Sequence, residues 1–141
     1  MQLALAMAIA ATTAVAISSQ TGTKTAWDGV YTETQAERGR QEYRRACSPC
    51  HGVDLAGGDD GAPALVGSLL TASWHDKTLD RIVGALRDSM PKDNPGGLTL
   101  AAYTDVVAFL LQSNDAAPGR DELPPDLAIL RRIRFVEEAN R

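Results

Sequence analysis

The residues of this chain best equipped for chemistry stand together as Cys47-Ser48-Pro49-Cys50-His51. Two thiols three positions apart on one helical turn can each add to one vinyl group of a haem. The histidine that follows then supplies a nitrogen ligand to the iron. Three other chemistries compete. A thioredoxin-type dithiol would sit in a βαβ context, and no such pattern is visible. A structural zinc site needs four ligands, yet these are the only two cysteines and His75 is the only other histidine. A plain disulfide would leave His51 without a role. The expected cofactor is therefore haem c (iron), one per chain and covalently held.

A second axial ligand can be sought by elimination. Beyond the first few residues Met90 is the only methionine. It stands just before Pro91 and the turn signal Pro95-Gly96-Gly97, in a segment free to wrap back over a flat cofactor. The competing readings are Met90 as a core gap-filler, His75 as the ligand, and an open iron position. Met90 with His51 is the expected metal pair, and His75 is expected at the surface beside Trp74.

Three helices must position these residues. Thr32 and Gln35 form a capping-box pattern, from which a helix should run to about Cys50 with Ala36, Gly39, Tyr43 and Cys47 on one face. The Gly-, Asp- and Pro-rich stretch 52–67 reads as a loop. Thr78 should cap a second helix bearing Leu79, Ile82, Val83 and Leu86, which must stop near Met90 because Pro91 disfavours helix in the residue before it. Thr99 should cap a third, with Leu100, Tyr103, Val106, Val107, Leu110 and Leu111 on its apolar side and Phe109 widening it. Residues 114–141 form a Pro-containing tail whose Leu127, Leu130, Ile133 and Phe135 suit a short helix or an extended arm. No useful strand alternation occurs, so the class is all-α.

The 141 residues are enough for one domain, expected at 27–113. Two Trp, three Tyr and two Phe are few large rings for its core, and a haem would add apolar bulk. A formal net charge of −4 argues against a nucleic-acid binder. Leu3 to Ile17 is uncharged and apolar and ends in Ala14-Val15-Ala16, a small-residue cleavage pattern. Residues 1–19 are expected to be an export signal peptide or a weak N-terminal anchor, although no Lys or Arg precedes the apolar run. That run falls short of the roughly 20 residues of a membrane-spanning helix. The expected location is the bacterial periplasm, with no integral membrane span in the mature chain.

The same residues resemble class I cytochrome c. The likeness is carried by Gly39 and Tyr43 before the Cys-His motif, Gly61-Ala62-Pro63-Ala64-Leu65-Val66-Gly67 after it, Met90-Pro91, and Val106 with Phe109. More narrowly, Trp27-Asp28-Gly29-Val30-Tyr31-Thr32 and Met90 to Leu98 are similar to small bacterial monohaem cytochromes, some of which accompany quinone-cofactor (PQQ) dehydrogenases. The resemblance implies a class I cytochrome c fold, three main helices around one haem. It implies that Gly39 and Tyr43 let the first helix cross the last closely at Val106 and Phe109. It implies that the Pro63 carbonyl accepts the second ring N–H of His51 and that Leu65 packs on the haem face. Two readings of Trp74 stay open: an indole N–H bonded to a haem propionate, or simple burial. Ala102 departs from the pattern, where an acidic capping partner for Thr99 would be expected.

A His/Met iron has no place for substrate, which suits an electron carrier rather than an enzyme. Its redox partners would be a PQQ-dependent dehydrogenase and a terminal oxidase or another cytochrome. The rival readings are a cytochrome subunit fixed to a dehydrogenase, and a haem sensor or peroxidase with an open iron site.

Overall fold

In the computed structural model, which describes residues 24–136, a two-residue strand β1 (Lys24–Thr25) leads into α1 (Glu33–Ala46) and the single turn α2 (Ser48–His51). Next come α3 (Ser68–Trp74), α4 (Leu79–Ser89), α5 (Leu100–Ser113), the short α6 (Leu127–Leu130) and a second two-residue strand, β2 (Ile133–Arg134). β1 and β2 pair in parallel, Lys24 with Ile133 and Thr25 with Arg134. The described residues are thus mainly helical, as their sequence pattern requires. The expected export segment at 1–19 lies outside them, as does the chain beyond Val136.

α1 starts at Thr32, whose hydroxyl accepts the N–H of Gln35 at 3.1 Å. Only half of the expected capping box forms. The Gln35 side chain turns away from Thr32 and is fully buried. Its amide donates to the Leu123 carbonyl at 2.9 Å and accepts the Leu123 N–H at 2.8 Å. Helix α1 also ends earlier than expected, at Ala46 rather than near Cys50. Pro49 has no N–H to give to the carbonyl of Arg45, and its ring would collide there. The chain breaks at Cys47 and restarts as α2, while Ser48 Oγ donates to the stranded carbonyl of Arg44 at 2.8 Å.

α1 crosses α5 at Gly39, and only glycine fits. A Cβ at this position would lie 1.8 Å from the Asp105 carbonyl oxygen and 3.0 Å from Phe109 Cβ. One turn further on, the rings of Tyr43 and Phe109 meet at 5.3 Å. α5 is buried on most sides, from Tyr103 to Leu111. Its cap is the expected one: Thr99 Oγ1 accepts the N–H of Ala102 at 3.1 Å. α4 buries Leu79, Ile82 and Val83, as the stripe predicts, but Thr78 caps it differently. The Thr78 hydroxyl bonds the Asp80 carboxylate instead of a backbone N–H.

α3 was not legible in the sequence pattern. It is seven residues long and buries only Leu70 and Trp74, an i, i+4 pair too short to establish a period. The tail lies against the body. Leu123, Leu130, Ile133 and Phe135 are buried, and Phe135 sits between Trp27 at 5.5 Å and Trp74 at 5.6 Å between ring centres. Trp27 Nε1 donates to the Val136 carbonyl at 2.9 Å. The tail is therefore one turn of helix followed by a short strand, combining the two forms the sequence suggested.

Candidate functional site

The break between α1 and α2 determines how the Cys-His motif is presented. Cys47 closes α1 by giving its N–H to Tyr43 O at 2.8 Å, and its own carbonyl then accepts from Cys50 at 3.2 Å and His51 at 3.0 Å. Within that turn both thiols are free, Cys47 half-buried and Cys50 exposed. Burial, with a smaller push from Glu42, raises the Cys47 thiol to about 11. A redox dithiol needs the opposite, a thiol lowered toward neutrality. Nor, among the described residues, do three or more His, Cys, Asp or Glu side chains converge as a structural zinc site would require.

His51 is buried, and its Nδ1 lies 2.8 Å from the Pro63 carbonyl oxygen. A carbonyl only accepts, so Nδ1 carries the proton and Nε2 is left with its lone pair. The 52–67 loop is shaped to bring Pro63 back to the ring. Gly57 N–H reaches His51 O at 2.9 Å, Gly58 N–H reaches Ala62 O at 3.1 Å, and Leu65 N–H reaches Leu55 O at 2.8 Å. Gly58 is forced by proximity, because a Cβ there would come within 2.2 Å of the Cys50 carbonyl oxygen. Tyr43 adds a hydroxyl bond to Gly52 O at 2.6 Å, and burial raises its phenol to about 12.

A cavity of about 530 Å³ opens beside this motif. Cys47, Cys50, His51, Pro63, Leu65 and Met90 all line it, although they come from three separate stretches of chain. Leu86 of α4, Leu98, and Val106 and Leu110 of α5 complete apolar walls, and Arg45, Asp60, Lys92 and Asp93 also line it. Met90 ends α4 in an extended conformation, with its N–H on Leu86 O at 2.8 Å and its carbonyl accepting the Tyr103 hydroxyl at 2.7 Å.

Trp74 is the one sequence-derived site residue that does not line this cavity. It is buried, with its ring T-shaped to that of Phe135. His75 is exposed, with no place on the cavity wall. Leu86, Val106 and Leu110 were expected as core residues only. Their hydrophobic spacing gave no sign that they would face a cavity instead of one another.

The donor set suits haem: two free thiols on one turn, an imidazole with one nitrogen already bonded, a thioether, and Leu and Val walls. No curated protein matches this chain, and no solved structure does. A family model does match, described as cytochrome c oxidase, cbb3-type, subunit III, over residues 34–110. That span is more than half of the chain, and it runs from the first turn of α1 through the cavity walls to Leu110. The chain therefore belongs to this family: it is a c-type cytochrome, a haem-containing protein of electron transfer.

Proposed function

We propose that the protein is a periplasmic single-electron carrier whose one haem is bound through thioethers at Cys47 and Cys50 and ligated by His51 and Met90. The observation that carries this reading is the convergence of those four side chains on one apolar cavity. Bound there, haem supplies a one-electron iron couple. The protein residues do the rest. Cys47 and Cys50 would hold the haem covalently, the S–H of each adding across a vinyl group to give a thioether. Pro63 holds the His51 ring through Nδ1–H, which aims Nε2 and makes it a stronger donor. Met90 offers a soft, neutral thioether, which favours the reduced metal. Leu65, Leu86, Val106 and Leu110 keep water from the cavity. With His51 and Met90 both serving as ligands, the bound group would have no position left for a substrate.

The apolar run at Leu3–Ile17 supports export. The likeness to small monohaem cytochromes supports a PQQ-dependent dehydrogenase as electron donor, with a terminal oxidase or another cytochrome as acceptor. A second reading, a cytochrome held permanently in a larger complex, is favoured by the description of the matched family as an oxidase subunit. Gel filtration of the native material separates the two. A carrier elutes as a small protein, a subunit with its complex.

The absorption spectrum tests the ligand pair. Oxidised wild-type protein is expected to show the weak red charge-transfer band of a sulfur–iron bond. Met90→Ala is expected to remove it, to lower the potential and to let carbon monoxide bind the reduced protein readily. A wild-type protein without the band, unchanged by Met90→Ala, would make Met90 a packing residue and leave the iron open, as in a sensor or peroxidase.

A further inference from the structure

One face of α5 runs past the cavity and extends beyond it at both ends. Tyr103, Val106, Leu110 and Asn114 follow at spacings of three, four and four, which is a single helical stripe about 16 Å long. The two apolar residues in the middle line the cavity. The two polar residues at its ends are buried, and neither bonds a side chain; each bonds the backbone of a different cavity wall.

Tyr103 is 2% exposed, and its hydroxyl donates to the Met90 carbonyl at 2.7 Å. Because Met90 N–H already bonds Leu86 O, this second bond fixes both backbone polar groups of the residue and leaves only its side-chain torsions free. Methionine is unbranched and flexible, so its sulfur is only as well placed as its Cα. At the other end Asn114, the C-cap of α5, is 8% exposed and makes three bonds. Its Nδ2 donates to Leu65 O at 3.1 Å and Leu110 O at 2.8 Å, and its Oδ1 accepts the N–H of Gly67 at 2.9 Å. Leu65 and Gly67 belong to the loop that carries Pro63, whose carbonyl orients His51. Neither a phenol nor a primary amide is needed to fill apolar space at these positions. Both are placed where a backbone segment carrying an iron donor, or its support, must be held.

We propose that Tyr103 and Asn114 are positioning residues, one for each axial donor: Tyr103 holds the Met90 segment, and Asn114 holds the loop that orients His51. This rests on the His51/Met90 ligation proposed above. It separates from general stabilisation because the two residues should act on different donors.

The test uses holoprotein, wild-type, Tyr103→Phe and Asn114→Ala, with Asn114→Ser as the milder change should Asn114→Ala fail to fold. Two quantities are read at one pH: the affinity of the oxidised protein for free imidazole, which must displace the thioether, and the rate at which the His51 Nδ1 proton exchanges with deuterated solvent, by proton magnetic resonance. Tyr103→Phe is expected to tighten imidazole binding roughly three- to tenfold, the range that one buried neutral hydrogen bond supports, with His51 exchange unchanged. The Asn114 variants are expected to speed His51 exchange by a similar factor and to leave imidazole affinity within about twofold. Equal changes in both quantities from either variant, or none, overturn the proposal. A wild-type protein lacking the sulfur–iron band overturns the ligation itself, and the proposal with it. A wild-type protein with the band and a Tyr103→Phe variant that binds imidazole like it overturns the proposal alone.

Discussion

Gln35 shows how much one side chain can fix when it is buried and fully bonded. It closes a two-way amide pairing with the backbone of Leu123, 88 positions away, and its Nε2 also reaches Asp105 at 3.1 Å. Removing the amide would strand a buried N–H and a buried C=O on Leu123, a loss worth about 1–3 kcal/mol. Gln35→Ala is therefore expected to lower the unfolding free energy by that amount, read as a lower urea midpoint at an unchanged slope, and a midpoint equal to wild type would contradict it. The same residue marks a limit of sequence reading. Thr32 and Gln35 match a local capping pattern, but a partner far along the chain outcompetes the local one. Around the cavity the legible residues were those whose chemistry is rare: two cysteines, one histidine beside them, one methionine. Tyr103 and Asn114 were hidden because a tyrosine on an apolar stripe and an asparagine at a helix end have ordinary structural uses.

Helix boundaries followed the sequence where a cap or a proline dictated them. α4 ends before Pro91 and α5 begins at Thr99 for reasons visible in the chain. α1 stopped short because Pro49 acts four residues back, on a carbonyl that a periodicity argument does not consider. α3 escaped notice because it is brief and buries one pair of side chains. The α1–α5 crossing at Gly39 is one that the family resemblance implied, and here the structure makes the requirement quantitative. An added methyl would sit 1.8 Å from a backbone oxygen, which no side-chain rotation can relieve. Gly39→Ala must push the helices apart, at a cost of about 1–3 kcal/mol or more. The expected readout is a lower thermal midpoint of the holoprotein. An unchanged midpoint would show that the crossing has slack, and that Gly39 is not its limiting contact.

On the scale of the whole molecule, the tail is tied to the helices by charge as well as by apolar burial. Arg38 on α1 reaches Asp105 on α5 at 3.0 Å and Glu122 on the tail at 2.8 Å. The hydrogen bond from Arg38 holds the Glu122 carboxyl below its usual value of 4.5, against a small opposing effect of burial. A carboxyl depressed in the folded state stabilises above its ordinary range and loses that contribution as the pH falls through the folded value. Wild-type protein should therefore lose more stability than Glu122→Gln on acidification below about pH 4.5. The difference should be modest and shrink with salt, because the Glu122 side chain is 47% exposed. Parallel acid-denaturation curves would show that the pair contributes nothing. Every scale of this account depends on one claim, that Cys47 and Cys50 hold a single haem covalently. Intact-mass spectrometry of the purified holoprotein under denaturing conditions tests it most directly. Wild type is expected to give the mass of the chain plus one haem, and the double variant Cys47→Ala, Cys50→Ala that of the bare chain. A wild-type chain that releases its haem on denaturation would contradict it.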